Sequence, residues 1–275
     1  MRGAGHVLRY QAKHLKGAVR QAEARVTRRW NAVSPDSFEA ARRVLGRDQS
    51  DPANQPLPEF GSVFEDEGIR MRIDPRMAEE NVRKLVAGEH TRQERTILAE
   101  ILEPDDVVME LGGGIGMVAI TCAKVVGSEN VTVYEANPEI ESLARDNYAL
   151  NDVSPTLHIC MMGLEAGSRT FHLSERFSRS SVFAETQGMR TVEVPVRPFG
   201  EEAARVRPSL LIVDIQGAEV EFLDYADLSS IRKLLIEFHP SMTGFGPIKS
   251  MRRRIRQHHG MREVMRVGNS FVYER

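Results

Sequence analysis

At 275 residues, with 41% hydrophobic and 28% charged side chains, the chain has the composition of a soluble globular protein built as one extended domain. A formal net charge of −2 gives no global field to draw in nucleic acid or an anionic membrane, so neither is expected as a partner. There is no run of about 18 apolar residues, which excludes an ordinary transmembrane helix. The cysteines, Cys122 and Cys160, lie inside apolar segments and read as buried free thiols, which fits a reducing, cytoplasmic setting.

Residues 1–30 stand apart. They carry eight basic residues against the single acid Glu23, and Leu8, Ala12, Leu15, Val19, Ala22 and Val26 recur at helical spacing. This predicts a basic amphipathic helix that packs on the main domain or on a partner helix and supports a homo-oligomer, with a basic surface for an anionic glycan, lipid or nucleic acid, or an Arg-rich targeting peptide, as the alternatives. No small-residue cleavage site follows a short apolar core, so a secretory signal is not expected. Residues 46–62, with Pro52, Pro56 and Pro58, read as a linker. The domain boundaries expected are 1–62 for the helical extension with its linker and 63–275 for the main domain.

Helical spacing runs from about Pro75 through Leu102 and ends near Pro104. A strand at Val107–Met109, a glycine turn and a helix from Met117 to Val126 follow. Next come a strand at Val131–Tyr134 and a helix from Pro138 to Leu150, with Pro138 in its first turn. Leu157 to Met161 reads as a third strand. Leu210–Val213 and Leu234–Ile236 are continuous apolar runs, as parallel strands covered on both faces require. Arg169–Leu173 and Arg190–Val196 alternate as a pair of antiparallel strands would. Ser174, Arg176, Ser178, Arg179, Ser180 and Ser181 between them read as a solvated loop or a lid.

The chemistry starts at Glu110-Leu111-Gly112-Gly113-Gly114-Ile115-Gly116. Gly112 and Gly114 let the backbone approach a ligand where a Cβ would intervene, and the helix behind them opens with unpaired N–H groups. The spacing misses the third glycine of the dinucleotide fingerprint, and the Gly-Lys-Ser/Thr of a phosphate loop is absent. Glu135, at the end of the next strand, is placed to accept both hydroxyls of an adenosine ribose. Glu110 would repel a pyrophosphate but accept the ammonium of a methionine moiety. The ligand expected is therefore S-adenosylmethionine.

These segments resemble the class I methyltransferases, and within them the FkbM-type group. The resemblance rests on the glycine turn, Tyr134-Glu135-Ala136-Asn137-Pro138, Asn147, Asn151, Asp214-Ile215-Gln216-Gly217-Ala218-Glu219 and Glu237-Phe238-His239, across roughly residues 89–239. Gln216 departs from the acid usual in that motif. The resemblance implies an α/β fold: a Rossmann-like, seven-stranded, mostly parallel sheet with helices on both faces. To this the sequence adds the N-terminal helical extension and a small antiparallel insertion. It implies that Ala136, Met161, Met162 and Gly163 border the adenine, and that the methyl group goes to an oxygen.

Asp214 and His239 follow strand ends on the side where open α/β sheets bind ligands, and they are the expected catalytic pair. Histidine titrates near neutrality and is the better base, whereas Asp214 has the better position. Glu219 and Glu237 could join Asp214 around a divalent ion, but no metal is expected. The acceptor expected is a hydroxyl on a small molecule or glycan. N- or RNA methylation, or a non-catalytic adenosine-binding module, are the alternatives; no Asn/Asp-Pro-Pro-Tyr/Phe tetrad for planar amines is present.

Overall fold

In the computed structural model, residues 57–173 and 190–275 are described. The basic N-terminal helix, its proposed self-association, most of the linker and the serine-rich connection lie outside the described residues. The sheet that carries the site contains β3 (Val108–Leu111), β4 (Val131–Glu135), β5 (Thr156–Ile159), β9 (Leu210–Val213), β10 (Lys233–Glu237), β11 (Arg262–Val267) and β12 (Ser270–Glu274). Its order is β11-β12-β10-β9-β3-β4-β5, with only β12 running against the others.

Alternate residues of the apolar runs enter two different cores, which is why these strands are apolar throughout. Val108, Val131, Val133, Leu210, Ile212 and Leu235 face one core. Around it lie α1 (Glu79–Val86), α2 (Arg92–Ile101), α3 (Met117–Val126) and α4 (Glu141–Leu150). Met109, Leu111, Leu211, Val213, Leu234 and Ile236 face the other. That side is covered by α5 (Phe199–Val206), α6 (Glu219–Tyr225) and α8 (Phe245–Gln257), the last following the single turn α7 (Pro240–Thr243). Both cysteines are buried and free, as expected.

Three expectations need correction. The helical stretch from Pro75 to Pro104 is two helices, broken around Gly88, whose φ of +69° a helix cannot hold. The third strand ends at Ile159: Cys160 N–H bonds to the Glu135 carbonyl, and β6 (Met161–Gly163) leaves the main sheet. β6 pairs instead with β8 (Arg190–Pro198), which also pairs antiparallel with β7 (Gly167–Leu173). The expected antiparallel pair therefore exists, but as part of a three-stranded sheet with its own small core of Met161, Phe171, Leu173, Val194 and Val196. Finally, a hairpin of β1 (Val63–Asp66) and β2 (Ile69–Arg72) precedes the helices, in residues to which the sequence reading assigned no element.

Asn147 and Asn151 of α4 anchor that hairpin. The Arg72 and Arg70 N–H groups donate to their side-chain oxygens, both at 2.9 Å, and Asn151 returns a bond to the Arg70 carbonyl. Asn147 also donates to the Ile115 carbonyl at 2.9 Å, so one buried amide ties the hairpin to the glycine turn.

Candidate functional site

The chain order reverses between β3 and β9, the topological switch where α/β sheets leave a crevice beyond their carboxyl ends. The loops after these strands touch there. A Cβ on Gly112 would lie 1.7 Å from the Asp214 carbonyl oxygen, and φ at Gly112 is +89°. Only glycine fits. A Cβ on Gly113 would lie 2.2 Å from Val133, and one on Gly116 2.5 Å from the Tyr148 ring. Gly114 differs: its φ is +53°, but nothing lies within 4 Å of the added carbon, which would enter open space. Gly112 and Gly113 are thus fixed by packing, whereas Gly114 presents bare backbone to the cavity that the turn lines.

That cavity has a volume of about 250 Å³. Glu110, Gly112, Gly114, Glu135, Ala136, Met161, Met162 and Asp214 all line it. Glu135 is buried, and its carboxylate accepts the Gly114 N–H at 2.8 Å and the Asn137 N–H at 2.7 Å. Each oxygen keeps a further lone pair. Burial raises its carboxyl pKa while those N–H bonds lower it, and the net shift is upward. Glu110 is buried and its Oε2 has no hydrogen-bond donor. Desolvation, then the nearby Asp214 and Glu135 carboxylates, push its pKa up to about 8.

A second acidic group closes the end of the crevice beyond β9 and β10. The His239 Nδ1 lies 2.8 Å from Glu219 Oε1, and its Nε2 lies 3.5 Å from Asp214 Oδ1. Gln216, the departure from the family motif, donates to Asp214 Oδ1 at 3.1 Å. Its φ of +50° is a left-handed conformation that follows from the tight turn into Gly217. Glu219 is fully buried; Oε1 also accepts the Gly217 N–H at 3.0 Å, while Oε2 has no partner. Burial raises the Asp214 and Glu237 carboxyls, and neighbouring acids add to both. Burial pulls His239 down, but the Glu219 bond and the Asp214 and Glu237 charges outweigh it and raise the imidazole.

The methyltransferase FkbM domain model matches residues 115–273, more than half of the chain. The chain belongs to the FkbM methyltransferase domain family. S-adenosylmethionine is its methyl donor. None of the curated proteins matches the sequence. Among solved structures, P. horikoshii TYW2 in complex with MeSAdo is 15% identical, covering 78% of this chain and 70% of its own, with a TM-score of 0.43. The Pyrococcus abyssi tRNA (uracil-54, C5)-methyltransferase in complex with S-adenosyl-L-homocysteine is 14% identical, with 83% and 47% covered and a TM-score of 0.44. M. jannaschii TYW2 in complex with AdoMet is 16% identical, with 80% and 85% covered and a TM-score of 0.39.

The FkbM domain match extends through β11 and into β12, beyond the span that carried the sequence resemblance. The residues present fit the methyl donor: Glu110 offers an orphaned buried carboxylate oxygen to an ammonium, and Gly114 leaves bare backbone. Two residues expected at the site do not line the cavity. Gly163 instead makes room for Val196, whose Cγ1 would lie 2.4 Å from an added Cβ. His239 reaches the cavity through Asp214. Glu94 on α2 lines the cavity and was missed; it accepts the Ser270 hydroxyl at 2.6 Å, an arrangement set across 176 residues that no local pattern announces. Tyr225 was missed too; its hydroxyl donates to the Met162 carbonyl at 2.9 Å and fixes the backbone of that wall.

Proposed function

We propose that the chain methylates a hydroxyl oxygen on a small molecule or glycan, using S-adenosylmethionine. The observation that carries this reading is the Asp214 carboxylate, which lines the cavity at the switch point and is backed by His239 and the buried Glu219. The bound donor supplies an electrophilic sulfonium methyl. On transfer the carbon–sulfur bond breaks, an oxygen–carbon bond forms, and the hydroxyl proton must leave. Asp214 accepts the acceptor's O–H hydrogen bond, aligns its oxygen and takes the proton as the new bond forms, with His239 beside it.

In this reading Glu110 holds the donor's ammonium, the Gly112–Gly114 backbone passes under its methionine part, and Glu135 accepts the ribose hydroxyls. Ala136, Met161 and Met162 cover the adenine. Their support is position: all of them line one cavity, in the order that the strand ends impose.

The test is transfer of label from methyl-labelled S-adenosylmethionine into parallel panels of hydroxylated sugars, phenolic and polyketide alcohols, amines, and tRNA. Label held as a methyl ether in a sugar or alcohol panel supports the reading. Label found only in amines or in RNA bases overturns it.

A further inference from the structure

We propose that Asp214 and His239 bind a divalent cation, with Glu219 as the residue that holds the imidazole in its ligating orientation. One ligating atom from each of Asp214, Glu219 and His239 lies within 4.8 Å of the others. Glu219 Oε1 lies 2.8 Å from Nδ1; with Nδ1–H donated to that carboxylate, Nε2 is the nitrogen that faces Asp214, and a cation bound there would replace its proton. A carboxylate on the far nitrogen of a ligating histidine is the usual way that its tautomer and ring orientation are fixed.

The 3.5 Å between Nε2 and Asp214 Oδ1 is too long for a good hydrogen bond. It is close to the edge of a ligand tetrahedron, about 3.4 Å for bonds of about 2.1 Å. The second observation is an orphan: Glu219 is fully buried, yet its Oε2 has no donor. That carboxylate and Asp214 flank the same imidazole, so two acids share one ring at this place. One nitrogen and carboxylate oxygens suit a first-row divalent ion such as Mn²⁺ or Zn²⁺ better than Mg²⁺.

At this place the cation would touch an acceptor held on Asp214 and lower the pKa of its hydroxyl, as metal ions do for bound water. That role rests on the proposed hydroxyl methylation; the binding of the cation does not. The test is therefore binding. The full chain is stripped with EDTA and titrated with Mn²⁺ followed by electron paramagnetic resonance, and with Zn²⁺ by calorimetry. One equivalent of either ion is expected to bind, and binding should be lost in Asp214→Asn and in His239→Gln. Glu219→Gln should weaken it by about 10–100-fold. Thermal melts of the three variants identify any that fails to fold, and each is read only if it melts cooperatively. If none does, EDTA-sensitive protection of wild-type His239 from diethylpyrocarbonate, restored by Mn²⁺ or Zn²⁺, takes their place as the readout. Absence of stoichiometric binding by the wild-type chain, or binding unchanged in both ligand variants, overturns the proposal. Such a failure leaves hydroxyl methylation standing. Metal binding without any methyl ether product would sink that reading and leave this one.

Discussion

Replacing Glu110 by glutamine separates what this residue does for folding from what it does for the donor. Its carboxyl is raised from 4.5 to about 8, mainly by burial, so between those values the folded chain keeps a proton that the unfolded chain has lost. The unfolded state then binds fewer protons, and stability falls as pH rises through that window, by up to about 1.4 kcal/mol per pH unit. Glutamine has no proton to lose. The variant should therefore match the wild type near pH 5 and exceed it by a few kcal/mol at pH 8.5, on the order set by that slope. For the donor the sign reverses. Losing a charge-assisted hydrogen bond of about 1.5–3 kcal/mol should weaken S-adenosylmethionine about 10–150-fold. Urea unfolding of cofactor-free protein at pH 5, 7 and 8.5, with calorimetry of the donor at pH 7, measures both. A stability difference that does not change with pH refutes the buried neutral carboxyl. Unchanged donor affinity refutes the ammonium contact.

The glycines should divide sharply. Gly112→Ala drives a Cβ into the Asp214 carbonyl and should abolish cooperative melting, whereas Gly114→Ala bears only the left-handed backbone, at about 1–2 kcal/mol, and should melt near the wild type. A Gly112→Ala protein that melts normally would show that the two loops do not meet. Glu135→Ala should reduce donor affinity and also lower cofactor-free stability by about 1–3 kcal/mol, because the Gly114 and Asn137 amides lose their acceptor; calorimetry showing undiminished donor binding would sink the ribose assignment. Lys233→Met removes the buried ammonium 2.7 Å from the fully buried Asp106, leaving Arg232 as that acid's remaining cation. Urea unfolding at pH 7 should show a loss of about 3–5 kcal/mol, and a loss below about 1 kcal/mol would mean that the pair is not desolvated as it stands here.

The strands at Leu210–Val213 and Leu234–Ile236 were legible because burial on both faces removes polar alternation, and the runs are too short for a helix. The break between α1 and α2 was carried by a readable signal, Gly88, but the apolar period on either side masks it. The β1–β2 hairpin was also in principle readable: Glu67-Gly68 is a two-residue loop with positive φ at both positions, between short alternating segments. Between the linker at 46–62 and the helical spacing at Pro75, no element was assigned from the sequence. At the site, Glu110, Glu135 and Asp214 were legible as lining residues because each lies at or next to a strand's carboxyl end, where position alone implies access. His239 was placed correctly beyond β10, but whether it meets the cavity or only Asp214 depends on how α6 brings Glu219 beneath the ring. Chain order does not encode that.

The charge balance of the cavity also explains why this glycine turn takes a methyl donor rather than a dinucleotide. Glu94, Glu110, Glu135 and Asp214 all line it, and among the lining residues Arg169 is engaged by Glu221 at 2.6 Å. A pyrophosphate would meet carboxylates where it needs N–H groups and cations, and the Gly114 N–H is already given to Glu135. The donor brings two positive centres, an ammonium and a sulfonium, to such a wall. Transfer then removes the sulfonium charge, so the acids that favour the donor favour the product less. A wall of this kind raises the carboxyl pKa values when empty and relaxes them when a cation enters. The raised carboxyl pKa values of Glu110 and Asp214 are thus the counterpart of selectivity for cationic ligands.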